Sequence, residues 1–324
     1  MCRPPGWRPA DCQNHMNGPG LNPVPEHSSH TFSLRRSVFV ASLASLLAGC
    51  AISEQPVIPS LPVDSAASYG GPQFVWYDLF TTDVEGASSF YRDLFGWEFE
   101  SAPEYGNFSL ARHNGIPVAG LVRIDEARAE TVPPQWVPNL LVGNVDVVAE
   151  HFSRAGRVLK GPVDLPDRGR IAVVEDAEGA PLMLLQTTGG VPSNAEGTHG
   201  FFLWTELWSL DEAISLPFYS AAVGLESVDG PADLDPEYRI LGTGDRRLAG
   251  LIKIPMDGVR PHWLSYIAVA DPAEVARRAE SLGGRVIIGP GDTSDRLAAV
   301  IADPVGGVFG VQQWPIADLE EAQP

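Results

Sequence analysis

Cysteine and lysine are what this 324-residue chain has least of. Its three cysteines, Cys2, Cys12 and Cys50, all precede the part that reads as folded. A disulfide, a cysteine-based metal site and a cysteine nucleophile are therefore excluded there. The two lysines, Lys160 and Lys253, and the scattered arginines form no basic stripe, and 41 acidic residues outnumber 22 basic ones. Nucleic acid is excluded as a partner, because affinity for phosphate comes from clustered positive charge. There is no Gly-rich phosphate loop and no G-x-S-x-G elbow, so nucleotide and hydrolase readings lack support.

A long apolar run is missing too. An uncharged apolar run, Ser37 to Ala48, falls short of the roughly 20 residues of a spanning helix. It follows Arg35-Arg36 and ends in Leu47-Ala48-Gly49-Cys50. A positive n-region, a short apolar h-region and small residues before a cysteine resemble a bacterial lipoprotein signal. That resemblance implies export by a Sec or twin-arginine route, lipidation at Cys50, and a mature protein anchored to a membrane outside the cytoplasm. Translation could start at Met1 or Met16. Residues 1–49 are thus expected to be leader and signal, and the Pro/Ser/Ala-rich residues 50–70 a lipidated cysteine with a flexible tether.

What is present is a repeat. Phe74 to Trp97 reads as a strand, a turn and an amphipathic helix, and the chain from Phe202 repeats it. Trp76 falls on Trp204, Asp83 on Asp211, Phe90-Tyr91 on Phe218-Tyr219 and Gly96 on Gly224, all at one offset. Ala119–Ile124 answers Ala249–Ile254, and the turn beginning at Asp176 answers the one at Asp303. Strand-like runs follow each opening helix, and a second strand and helix occur in each copy. Asp271, Pro272 and Glu274 form the expected capping box of the last helix, which Gly283-Gly284 stop. The expected organisation is a domain over 71–188, a Gly/Pro-rich linker at 189–198, a domain over 199–316, and an acidic tail at 317–324.

The strand ending near an Asp, the motif FYxxxFGW, the later DxxG turn and the paired βαβββ pattern resemble the vicinal oxygen chelate superfamily. This superfamily includes glyoxalases, bleomycin-resistance proteins and extradiol dioxygenases. The resemblance covers about Gly71–Trp314 and implies an α+β fold of two tandem glyoxalase-like domains. In each, two βαβββ units curl into a cup-shaped mixed sheet. It further implies a divalent metal held by His, Glu or Gln inside the cup. The positions it points to carry Trp76 and Trp204, Gly120 and Gly250, residues near Val137 and Leu264, and Met183 and Gly310, none a usual ligand. The chain is accordingly expected to bind no metal, with a divalent ion left as the alternative. His113, His151 and His199 read as solvent-facing.

Strand alternation puts Trp76, Asp78 and Phe80 on one face, and Trp204, Glu206 and Trp208 on another. If these faces line the cups, each holds aromatics around one carboxylate, and Gly120 or Gly250 opposite leaves room for a ligand. The tryptophans could equally plug the cups as core. Asp78 and Glu206 could act as general acid or base, or simply pair with an arginine such as Arg123 or Arg239. His262, just before a strand, completes the candidate ligand-binding set. The expected function is capture of a small, partly aromatic molecule in a metal-free cup. Alternatives are an atypical lyase, isomerase or dioxygenase using Glu206, Asp78 and His262, or an envelope interaction protein without ligand. The repeat suits a monomer with an internal pseudo-dimer, or a homodimer.

Overall fold

The computed structural model describes residues 58–61, 63–101, 106–129, 133–192, 197–230, 237–291 and 297–315. The signal-like run, Cys50 and the acidic tail lie outside these residues. The first half contains β1 (Val63–Asp64), β2 (Gln73–Thr81), α1 (Val84–Phe95), β3 (Glu98–Glu100), β4 (Phe108–His113), β5 (Ile116–Arg123) and α2 (Glu126–Ala129). It continues with β6 (Gln135–Leu141), α3 (Val145–Ala155), β7 (Arg157–Leu165), β8 (Gly169–Glu175), β9 (Pro181–Gln186) and β10 (Val191–Pro192). The second half opens with β11 (Phe202–Ser209), α4 (Glu212–Val223), β12 (Glu226–Val228), β13 (Arg239–Thr243) and β14 (Arg246–Lys253). It ends with β15 (His262–Val269), α5 (Pro272–Ser281), β16 (Arg285–Ile288), β17 (Ala298–Ala302) and β18 (Val308–Gln313).

Each half makes one eight-stranded mixed sheet, in the orders β3-β4-β5-β2-β6-β9-β8-β7 and β12-β13-β14-β11-β15-β18-β17-β16. The two βαβββ units of a half meet at an antiparallel pair, β2 with β6 or β11 with β15. Parallel β5 and β9, or β14 and β18, lie outside that pair. Asp83 and Asp211 cap α1 and α4 by accepting from the amides of Gly86 and Ala213, each at 2.9 Å. Gly96 and Gly224 end those helices at φ 74° and 72°, where a side chain would be strained. Asp271 caps α5 through the amides of Ala273 and Glu274. The Glu274 carboxylate pairs with Arg277, so the reciprocal half of the expected capping box is replaced by an ion pair.

The two sheets stand back to back. Residues from the helix-covered faces of both halves form one core, whereas each concave face has a core of its own. Tyr77 stacks on Phe202 with ring centroids 3.8 Å apart, and Phe74 meets Trp263 at 5.0 Å. Two reciprocal polar contacts cross this shared core. The Tyr91 hydroxyl donates to Asp303 and the Tyr219 hydroxyl to Asp176, each at 2.9 Å. The Trp136 and Trp263 indoles donate in turn to Tyr91 and Tyr219 at 2.8 and 2.9 Å. The other oxygen of each Asp accepts two backbone amides of its own turn, from Glu178 and Ala180 or from Val305 and Gly307. The FY pairs and the DxxG turns are therefore halves of one device.

Part of residues 50–70, assigned by composition to a flexible tether, is docked where it is described. β1 pairs with β10 inside the expected linker. Leu61 is buried in the concave core of the first half with Ile58 packed beside it. The Pro59 carbonyl accepts from Arg168 at 3.1 Å. The apolar Ile58 and Leu61 supply the burial that the Pro/Ser content obscured.

Burial raises the carboxyl pKa of Asp176 and Asp303 above the ordinary 3.8, with amide and tyrosine hydrogen bonds opposing. The folded chain then binds these protons more tightly than the unfolded chain, so this contribution to stability falls as pH rises from about that value through the raised pKa values. A double variant, Asp176→Asn with Asp303→Asn, should lose less stability than the wild type between about pH 4 and about pH 7. Urea midpoints at the two pH values test this, and an unchanged difference would show that neither latch buries charge.

Candidate functional site

Strand register places the centre of each cup. In the first half Asp78 pairs with Gly120 and with Val137, and Asn139 pairs with Trp76 and with Met183. In the second, Glu206 pairs with Gly250 and Leu264, and Tyr266 with Trp204 and Gly310. The four central positions are thus Asp78, Gly120, Asn139 and Met183, matched by Glu206, Gly250, Tyr266 and Gly310. This corrects the sequence reading by one alternation. The carboxylates, rather than Trp76 and Trp204, hold the first central place of each cup, and Asn139 and Tyr266 hold the places assigned to residues near Val137 and Leu264.

Both carboxylates are buried and bonded. In the first cup Asp78 accepts from the Trp76 indole at 3.0 Å and from the Asn139 amide at 2.9 Å. The Arg168 guanidinium lies 3.8 Å from its second oxygen and 4.8 Å from the Trp76 ring centre. Burial lowers the Arg168 pKa and the Asp78 charge opposes that shift. The arginines proposed from sequence do other work, Arg123 pairing with Glu85 and Arg239 with Glu212. Arg168 went unnoticed because it sits in a turn between β7 and β8, far from β2 in sequence. The Asn139 side-chain carbonyl is buried without a hydrogen-bond partner.

In the second cup Glu206 accepts from the Tyr238 hydroxyl at 2.9 Å, the Tyr266 hydroxyl at 2.8 Å and the Trp208 indole at 3.4 Å. The Trp204 indole donates to Tyr238 at 2.8 Å. Among the described residues these indole and phenol donors are neutral groups. The tyrosines were missed because they come from β15 and the residue before β13, and only register brings them to β11.

A divalent metal does not fit these donors. Each centre offers one carboxylate whose oxygens already accept hydrogen bonds, set among glycine, methionine, amide and phenol groups. Among the described residues no three His, Cys, Asp or Glu side chains converge. The expected free space beside the glycines is also filled. A Cβ on Gly120 would fall 2.1 Å from Asp78 and 2.4 Å from the Phe108 ring; one on Gly250 would fall 2.0 Å from the Tyr238 hydroxyl. The glycines make room for the chain's own aromatics, and not for a ligand as the sequence suggested. Gly250→Ala should therefore destabilise the protein by about 1–3 kcal/mol through overpacking. Chemical denaturation measures this, and a neutral substitution would show that Tyr238 moves aside freely.

Phe80 and His262, expected in separate cups, line one crevice of about 290 Å³ between the halves. His262 also packs beside Trp208, tilted, at 5.1 Å between ring centres. Burial lowers the His262 pKa, while a hydrogen bond to the Arg260 carbonyl opposes the shift. His113, read as solvent-facing, is half-buried against Phe201 of the second half at 5.4 Å.

Comparison with known proteins places this geometry. Residues 73–110 match the family model described as bleomycin resistance protein-like N-terminal. A Mycobacterium tuberculosis protein named as a glyoxylase, CFP32, is 34% identical over 256 residues, spanning 78% of this chain and 97% of that protein. The anthracycline biosynthesis protein DnrV of Streptomyces peucetius is 32% identical over 272 residues, spanning 77% of this chain and 94% of that one. The fold is shared with the Mn(II)-bound glyoxalase from Novosphingobium aromaticivorans at TM-score 0.51 and 16% identity, over 74% of this chain and 81% of that one. It is also shared with the 2,3-dioxygenase LapB from Pseudomonas sp. KL28 at TM-score 0.51 and 14% identity, over 78% and 96%. The paired cups, the duplicated units and these relatives together make the chain a member of the glyoxalase-like group of the vicinal oxygen chelate superfamily.

Proposed function

We propose that this protein binds a small, partly aromatic molecule without a metal ion, and that it does so outside the cytoplasm, held to a membrane by a lipid on Cys50. The observation that carries the binding reading is the chemistry at the two cup centres. A single buried carboxylate, Asp78 or Glu206, is held by indole, amide and phenol donors where a metal centre would need several free ligands. An aromatic molecule bearing an N–H or O–H group would bind here by displacing one of these indole or phenol side chains and taking over its hydrogen bond to the carboxylate. A relative named for anthracycline biosynthesis supports the same class of ligand. Trp76 and Trp204 form the inner walls and Trp208 links the second cup to His262. Acid–base chemistry at Glu206 is the second reading, favoured by the two tyrosine hydroxyls that bond its separate oxygens.

Purified without chelator, the protein should carry less than stoichiometric metal. In thermal shift against a panel of aromatic amines and alcohols, stabilisation by binders should persist when EDTA is added. Stoichiometric zinc, manganese or iron, with binding abolished by EDTA, would overturn the metal-free reading. Glu206→Gln keeps the acceptor but removes the charge. It should weaken an amine ligand more than an alcohol if the carboxylate is the binding group.

Anchoring rests on the basic pair, the short apolar run and Leu47-Ala48-Gly49-Cys50. Among the described residues no helix is long and apolar enough to cross a membrane. Intact mass of the protein from bacterial membranes should equal the chain from Cys50 onward plus a diacylglyceryl group. An unmodified Cys50 behind an intact leader would end that proposal.

A further inference from the structure

The crevice between the halves lies on the pseudo-twofold axis of the duplication. Its walls come in equivalent pairs, Pro134 with Pro261, Trp136 with Trp263, and Gly179 with Gly306. These residues sit at the starts of β6 and β15 and in the two DxxG turns. Both tryptophans are fixed by the crossed latches, since each indole donates to a tyrosine that bonds the opposite half. A cavity of about 290 Å³ with locked aromatic walls costs little ordering when a flat molecule enters. Seams between domains are also where small-molecule pockets preferentially occur.

The polar groups of the crevice break the symmetry of its walls. Where the first half has Gln135, the second has His262, and where the first has Pro133, the second has Arg260. The His262 Nδ1 lies 2.9 Å from the Arg260 carbonyl, which can only accept, so Nδ1 carries the proton. In the neutral ring Nε2 then holds the lone pair and acts as an acceptor. Burial holds the ring in that neutral form near pH 7. The site therefore combines rigid apolar walls from both halves with polar groups that differ between them, Gln135 and Glu175 from the first half and His262 from the second.

We infer that this crevice is a second binding site, separate from the cups, for a planar aromatic molecule bearing an N–H or O–H donor directed at His262. The inference does not depend on ligand binding in either cup. Because both halves supply walls, an occupant here also strengthens the seam, whereas an occupant of a cup touches one half.

Indole and benzofuran test it, because they share a shape and differ in the N–H donor. Titrated calorimetrically into the full chain, indole should bind about tenfold more tightly than benzofuran, the worth of one hydrogen bond. His262→Phe keeps a ring beside Trp208 and should reduce indole to the affinity of benzofuran while leaving benzofuran unchanged. Val259→Trp, whose larger side chain fills the crevice from a surface loop, should abolish binding of both, with circular dichroism confirming the fold. The inference is overturned if neither probe binds saturably, if Val259→Trp binds as the wild type does, or if His262→Phe weakens both probes equally.

Discussion

The two crossed hydrogen bonds from Tyr91 to Asp303 and from Tyr219 to Asp176 are the constraint on which the rest of the molecule depends. Each links an opening helix of one half to the turn that launches the last strand of the other. A buried phenol and a buried carboxyl would each be costly alone, but together with an indole and two turn amides every polar atom of the device is accounted for. Burial raises both tyrosine pKa values well above the ordinary value, and the neighbouring aspartates push the same way, so the hydroxyls remain protonated donors. The latches hold the sheets back to back, and that arrangement in turn faces the cups outward and creates the on-axis crevice.

Within the cups one substitution pattern explains most of the chemistry. Glycines at the cup centres make room for Phe108, Tyr238 and Tyr266, whose ring atoms pack where a Cβ would clash. An aromatic ring over a glycine restores the burial that glycine alone gives up, and it brings a hydroxyl within reach of Glu206. Metal ligands need free lone pairs on several convergent groups. Here the lone pairs of one carboxylate are spent on neighbours instead, and the centre becomes a hydrogen-bonded core. The glyoxalase-like frame is kept while its inner shell is rebuilt.

The duplication, the sheet-and-helix order and the faces carrying Trp76, Asp78, Trp204 and Glu206 were legible in the sequence, because each rests on local period or on a repeated motif. The partners of those residues were not. Arg168, Asn139, Tyr238 and Tyr266 reach the cup centres only through sheet register, which a single strand does not encode. The edge strands β3, β7, β12 and β16 carry weak alternation since little of their surface is buried, and they escaped as separate elements. The Tyr–Asp latches join a motif on one half to a turn on the other. Both motifs stood out in the text, but nothing in the text links them. A pattern such as FY with DxxG, repeated once in each copy, was the one available signal, since paired motifs in a duplicated chain often meet across the pseudo-axis.

Around this shared frame the described residues of the two halves have diverged. In the first, Glu178 in the DxxG turn accepts from Ser209, Ser215 and the Asp211 amide, placing a negative charge at the start of α4 where the helix dipole favours it. Its counterpart in the second half is Val305, which packs against the shared core and can make no such contact. The first cup is closed by Arg168 and by the chain's own Pro59 and Leu61, so its interior is tied to the segment leading back toward Cys50. The second cup is built from its own tyrosines and runs through Trp208 to His262 at the seam. A duplicated protein under equal demand on both copies would keep equivalent polar groups. Here the latches stay matched while, among the described residues, the groups around the cups and the crevice differ, so the symmetry serves stability.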